Sequence, residues 1–198
     1  MSGSGKSYWS KKLQAKGFKR FCCDDLIEKK LENELKKLGY SGIQDVAKWM
    51  GQPFDTQYLR SSKEYLTFEK EVLHEILIKI ASLSTKDVVI DTTGSVIYAE
   101  KALLEKLAKT TKIIYINTPA SVQEEMYQLY LKDPKPVVWG TMFEKMDQES
   151  NLEALARCYP LLLAYRTKKY KNLANITLDY HTLHDPQFSV DKLLLSIR

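Results

Sequence analysis

Residues 3–7 read Gly3-Ser4-Gly5-Lys6-Ser7. The stretch that follows, 6–16, has a helical pattern and stops at Gly17, a residue suited to a helix C-terminus. The run matches the last part of the Walker A pattern G-x-x-x-x-G-K-[ST]. Glycines let the backbone curl so that successive N–H groups converge on one anion. Lys6 adds a cation on a long stem, and Ser7 offers a hydroxyl to Mg²⁺. The helix beyond brings its N-terminal donors and the positive end of its dipole to the same anion. A flexible Gly/Ser tail would read the same over five residues; the helix and the regular alternation downstream favour the phosphate loop. The pattern's first glycine would fall one position before Met1, and the strand that feeds such a loop is missing from the sequence. That strand normally occupies the middle of a sheet, so its loss leaves an apolar slot with unpaired backbone groups on both sides. The sequence therefore reads as starting at an internal Met of a longer protein, with poor stability and weak nucleotide binding as written.

Four short runs rich in β-branched or aromatic residues predict strands: FKRFCC (18–23), KDVVID (86–91), KIIYIN (112–117) and NITLDY (175–180). Runs of this kind suit strands buried on both faces of a parallel sheet. Between them lie helical patterns. Asp24 and Asp25 open one that carries Leu26, Ile27, Leu31, Leu35 and Leu38 and closes at Gly39. A long helix is predicted over 61–83, with Leu66, Val72, Leu73, Ile76, Leu77 and Ile80 inward. Others are predicted over 96–109, 120–131, 142–170 and 188–197. Strands alternating with helices imply βα units and a parallel sheet with helices on both faces. The stretch KDPKPVVWG (132–140) reads as a loop between helices, so residues 1–198 are expected to form one domain.

Composition narrows the function classes. A chain of 198 residues, 44% apolar and 28% charged, is long enough to bury roughly 70% of its unfolded surface, which excludes collagen-like and disordered readings. No uncharged run approaches the roughly 20 residues of a membrane span, and 1–14 lacks the apolar centre of a signal peptide, so a cytoplasmic protein is expected. The net charge of +5 comes from 30 basic and 25 acidic residues. The lysines are interleaved with acids, as in LIEKKLENELKKL, which is the pattern of solvated helix faces and not a nucleic-acid stripe. Three cysteines, two of them adjacent at 22 and 23, read as free thiols of a reducing compartment. No histidine spacing makes a metal site.

Beyond the phosphate loop, five segments in order resemble the shikimate kinase family of P-loop kinases. They are F-C-C-D-D-L-I-E (21–28), F-E-K-E-V-L (68–73), V-V-I-D-T-T-G-S (88–95), K-P-V-V (135–138) and R-T-K-K-Y-K-N-L-A-N-I-T-L-D (166–179). The resemblance implies a three-layer α/β P-loop kinase fold, a parallel sheet flanked by helices, with its first strand absent from this chain. A substrate flap is expected at 24–60 and a lid at 132–145. It also implies ATP and Mg²⁺ as cofactors, and transfer of a phosphoryl group to a hydroxyl of an anionic small molecule, foremost shikimate to shikimate 3-phosphate. The protein is expected to be a monomer.

Position by position, the resemblance implies that Gly3, Ser4, Gly5, Lys6 and Ser7 cradle ATP. Asp24 orients the acceptor hydroxyl, Arg166 pairs with the substrate's carboxylate, and Lys135 reaches the transferring phosphate from the lid. Gly94 belongs to the turn where the family has three glycines, here Thr93-Gly94-Ser95. The departures are specific. Cys22 stands where the family has an Asp associated with Mg²⁺, and Leu66 stands where it has a second carboxylate-binding Arg. Asp91, in a D-x-x-G terminus, is expected to support Mg²⁺ together with Ser7 in place of the lost Asp. The plainer readings are that Asp24 and Asp91 only cap helices, that Arg166 is a solvated face residue, and that Lys132 and Lys135 are loop charges. Arg60 is a candidate replacement for the missing Arg. The changed anion clamp leaves a gluconate, nucleotide or nucleoside kinase open, as well as a nucleotide-binding protein that does not catalyse.

Overall fold

The four apolar runs form strands in two parallel pairs. In the computed structural model, which describes residues 3–85, 87–132 and 135–197, β1 (Lys19–Cys22) pairs with β2 (Val88–Asp91), with Lys19 opposite Val88 and Cys22 opposite Asp91. β3 (Ile114–Asn117) pairs with β4 (Ile176–Asp179), with Ile114 opposite Ile176. Among the described residues no ladder joins β2 to β3. The parallel sheet is thus in two halves, with the expected apolar slot between their inner edges.

Helices connect and cover the strands: α1 (Lys6–Ala15), α2 (Cys23–Lys37), α3 (Ile43–Met50), α4 (Tyr58–Ser82), α5 (Lys101–Thr110), α6 (Ala120–Lys132), α7 (Asn151–Leu173), α8 (Tyr180–His184) and α9 (Val190–Ser196). The main core grows from helical spacing. Ile27, Leu31 and Leu35 of α2 recur every fourth residue and pack with Val72, Leu73, Ile76 and Leu77 of α4, all buried. A second, smaller cluster joins Trp9 and Leu13 of α1 to Ile116 of β3, Leu183 of α8 and Leu193 of α9.

Two expected helices are corrected. The 96–109 pattern is a 3-10 turn at Val96–Tyr98 followed by α5, because Ala99 and Glu100 are extended. The 142–170 pattern begins only at Asn151. There Ser150 accepts from the Glu153 N–H while the Glu153 carboxylate accepts from the Ser150 N–H, a reciprocal cap that fixes the helix start. α7 then runs through Pro160 to Leu173. Residues 135–150 are left as an irregular segment over the site. Asp133 and Pro134 of the expected lid lie outside the described residues. Among the described residues, no helix is long and apolar enough to cross a membrane.

Candidate active site

The N-terminus of α1 is built for an anion. Gly3 and Gly5 both have left-handed backbone, at φ +77° and +92°. Gly5 precedes Lys6 as the helix cap and supplies no side chain. The first helical bond is donated by Trp9 N–H to the Gly5 carbonyl, and the first turn holds no acidic residue. The N–H groups of that turn are therefore aimed outward without a competing carboxylate. The φ of +92° favours glycine at position 5, and a Cβ there would sit a tight 3.2 Å from Cε1 of His184. The His184 ring stacks on Tyr180 at 3.8 Å between centroids, with Nδ1 2.8 Å from the Tyr180 carbonyl oxygen. The contact of His184 with Gly5 joins opposite ends of the chain, and no local spacing signals it.

Two carboxylates share the charge environment of this loop. Asp91 ends β2 and is buried; its Oδ2 accepts from Ser10 Oγ (2.9 Å) and from Arg20 Nη2 (2.9 Å). Arg20 Nε also donates to Ser10 Oγ (2.8 Å), and Ser10 Oγ lies 3.1 Å from the Ser7 carbonyl oxygen. Asp91 Oδ1 is buried with no hydrogen-bond partner among the described residues. Asp91 thus does more than cap a helix. Cys22 sits opposite it in the ladder, its thiol pushed up to about 11 by burial, so it stays protonated. Asp24, in the first turn of α2, accepts from the Tyr65 hydroxyl (3.2 Å). Burial raises its pKa, and the charge of Lys6 and the Tyr65 bond work in the opposite direction. The cap position of α2 is Cys22, so Asp24 is not a capping residue either.

Among the described residues no group of three or more His, Cys, Asp or Glu is arranged to hold a metal. One unpartnered carboxylate oxygen at Asp91 and the hydroxyl of the exposed Ser7 are what remain. That donor set fits Mg²⁺, which keeps waters and phosphate oxygens as most of its ligands and uses few protein groups.

On the acceptor side, the turn Thr93-Gly94-Ser95 faces Glu69 and Arg166. Glu69 is 2% exposed, and the Ser95 hydroxyl donates to its Oε1 (3.1 Å). Burial pushes its carboxyl up to about 8, so it is neutral at pH 7. No role was expected for Glu69; the available signal was an acid on the apolar face of α4, four residues after Tyr65 and three before Val72. Arg166 is 5% exposed, which removes the solvated reading. Its Nη2 donates to the Val138 carbonyl (2.7 Å) and its buried Nε has no partner among the described residues. A Cβ on Gly94 would lie 3.0 Å from Arg166 Nη1, and the Tyr170 hydroxyl donates to the Gly94 carbonyl (2.5 Å).

The 135–140 segment closes this side. The Tyr58 hydroxyl accepts from Trp139 N–H (2.7 Å) and donates to the Val137 carbonyl (3.1 Å), while Trp139 is buried against Tyr159 and Phe143. Lys135, Gly3, Tyr130 and Arg166 share the wall of one 180 Å³ cavity. Leu66 packs on the core. Arg60 is exposed in a different cavity beside Glu34 and Glu64, so it does not replace the missing Arg.

No protein-family model matches the chain, and no curated protein sequence is similar to it. Among solved structures it is similar to shikimate kinase from Acinetobacter baumannii in complex with shikimate, with 22% sequence identity and a TM-score of 0.55 over 97% of this chain and 83% of that one. The helices packed on parallel strands, with the glycine loop at the start of α1, have a shikimate kinase-like fold.

Proposed function

We propose that the chain is an ATP-dependent small-molecule kinase. The observation that carries this reading is the meeting of Lys6, Asp24 and Asp91 at the uncapped N-terminus of α1. Lys6 and the backbone N–H groups of Gly3, Ser4 and Gly5 hold the outer phosphates of ATP. Ser7 and Asp91 hold Mg²⁺, which when bound neutralises charge on those phosphates. Asp24, pinned by Tyr65, accepts a hydrogen bond from the acceptor hydroxyl and aims its oxygen at the γ-phosphorus. Arg166 holds an anionic group of the acceptor, and Gly94 leaves room for its guanidinium. Lys135 reaches the phosphoryl group in transfer. Catalysis on this reading is positioning and charge neutralisation, with no covalent intermediate on the protein. The enzyme acts in the cytoplasm as a monomer, on a dissolved substrate.

Shikimate is the first acceptor to test. A different hydroxyl acid, nucleotide or nucleoside is favoured by two observations: Leu66 offers no second cation, and Arg166 is engaged by the Val138 carbonyl. The experiment is ADP release with Mg·ATP, with and without shikimate, beside a panel of sugar acids and nucleosides. A shikimate-dependent rate lost in Arg166→Ala supports the first reading. Stimulation by another acceptor keeps the kinase and replaces the substrate. ATP binding with no stimulated turnover, insensitive to Asp24→Asn, identifies a nucleotide-binding protein that does not catalyse.

A further inference from the structure

On the kinase reading above, we propose that the acceptor is a small hydroxy acid with an apolar, ring-sized body and no hydroxyl beyond the one phosphorylated. Its seat is the 180 Å³ cavity between α6, α7 and the covering segment 135–139. Met126 and Leu129 of α6, Leu162 and Leu163 of α7 and Val137 form its apolar walls. Tyr130 and Tyr159 add ring faces, but their hydroxyls are already used. Tyr130 donates to Gln52 Oε1, and Tyr159 donates to the Met126 carbonyl (3.5 Å). The Val137 carbonyl likewise accepts from Tyr58. Each further hydroxyl brought into this space would lose water and face carbon. A cavity of about 150 Å³ with such a lining holds a benzene-sized molecule, so this one has room for a six-membered ring.

The ligand's charge follows from one side chain. Arg166 lines the same cavity and is 5% exposed. Its Nη2 donates to the Val138 carbonyl, while its buried Nε has no partner among the described residues. A buried cationic donor without an acceptor is costly, and a carboxylate oxygen answers it with a charge-assisted bond. Leu66 packs on the core and adds no second cation, so the match is to a monoanion.

The cavity also meets the phosphate side. Gly3 of the glycine loop and Lys135 stand on its wall with Arg166. An acid anchored at Arg166 therefore shares one enclosed space with groups that the kinase reading assigns to ATP. There the hydroxyl oxygen bonds to the γ-phosphorus as the bond to ADP breaks, and the hydroxyl proton is released to solvent.

The test is calorimetric titration of the chain, without nucleotide, using three ligands of one ring size: 3-hydroxycyclohexanecarboxylate, shikimate and cyclohexanol. The first keeps the ring, the carboxylate and one hydroxyl; shikimate adds two hydroxyls, and cyclohexanol lacks the carboxylate. The one-hydroxyl acid should bind at least ~tenfold tighter than either of the others. Leu129→Glu puts a carboxylate at a wall position that is 57% exposed. It should weaken that binding ~fivefold or more and leave the melting temperature within about a degree. Leu129→Gln, uncharged, should weaken it less. Equal or tighter binding of shikimate overturns the proposal, as does no binding of the one-hydroxyl acid. Binding untouched by Leu129→Glu also overturns it, by placing the ligand elsewhere. ADP release with Mg·ATP should follow the same order of acceptors. Tight binding of the one-hydroxyl acid with no ADP release from any acceptor would reject the kinase and keep the cavity's ligand. Release stimulated by shikimate, with weak binding of the one-hydroxyl acid, would do the reverse.

Discussion

Glu69 carries a distinct pH signature. Its carboxyl ordinarily titrates at 4.5, and burial beside Asp24 moves it up to about 8 in the folded chain. Folding therefore takes up a proton between those values. The stability this group contributes is fully present below pH 4.5 and is lost as pH rises through 8, with a slope of about 1.4 kcal/mol per pH unit. Glu69→Gln keeps a partner for Ser95 without a titrating proton. Denaturation midpoints measured from pH 5 to 9 should fall less with pH in the variant, which overtakes the parent above pH 8; parallel curves would reject the buried neutral acid. Asp91 poses the opposite problem. Asp91→Asn leaves Arg20 and its donors facing a neutral amide, and breaking such a buried pair costs roughly 3–5 kcal/mol. Lost activity in that variant therefore needs a companion. Ser7→Ala touches an exposed side chain, so it should raise the Mg²⁺ concentration needed for turnover while leaving the melting temperature within about a degree. These residues were legible to different degrees. Lys6, Asp24 and Asp91 stand in recognisable local patterns, whereas Glu69 and His184 acquire their surroundings only through contacts distant in sequence.

At the scale of elements, the strands were readable because each is an apolar run bounded by a helix pattern, and their observed limits are one or two residues tighter than the runs. The segment 142–149 was not. Its Met142, Phe143 and Met146 mimic helical spacing, but the Ser150–Glu153 cap starts the helix later, and Arg157 grips Glu149 through two bonds of 2.8 Å and the Glu144 carbonyl at 2.7 Å. α3 was submerged in the flap region, although Gly42 and Gly51 bracket it. The consequence is a non-helical strap, 135–150, whose seat in the site depends on Tyr58. Tyr58→Phe leaves the buried Trp139 N–H and the Val137 carbonyl unpaired, each costing about 1–3 kcal/mol if water cannot reach it. Water enters more easily if the strap lifts. Limited proteolysis should then cut within 135–146 at least several-fold faster in the variant, with α2 and α4 still intact. Equal cleavage rates would mean that Tyr58 does not hold the strap.

Across the whole molecule, the glycine loop joins two unequal bodies. The large core holds α2, α4 and β1, while the small cluster of Trp9, Leu13, Ile116, Leu183 and Leu193 holds α1 against α8, α9 and β3. The alternation of strands and helices foretold the fold class, and among the described residues the missing ladder between β2 and β3 leaves the apolar slot that the sequence reading expected. A nucleotide held at the N-terminus of α1 would face groups from both bodies, since Lys6 belongs to the small cluster's helix and Asp24 and Asp91 to the large core's elements. Binding should therefore tie them together. At a nucleotide concentration of 100 Kd, the linkage amounts to about 2.7 kcal/mol, a shift of several degrees in melting temperature. Lys6→Ala should abolish the shift produced by Mg·ATP, measured against the variant's own ligand-free melting temperature. Hydrogen exchange adds the spatial part. With nucleotide present, protection should rise in α1 and at β3 as well as in the loop, because opening the small cluster would then also break the phosphate contacts. Protection confined to residues 3–7 would mean that the loop binds nucleotide without coupling the two bodies.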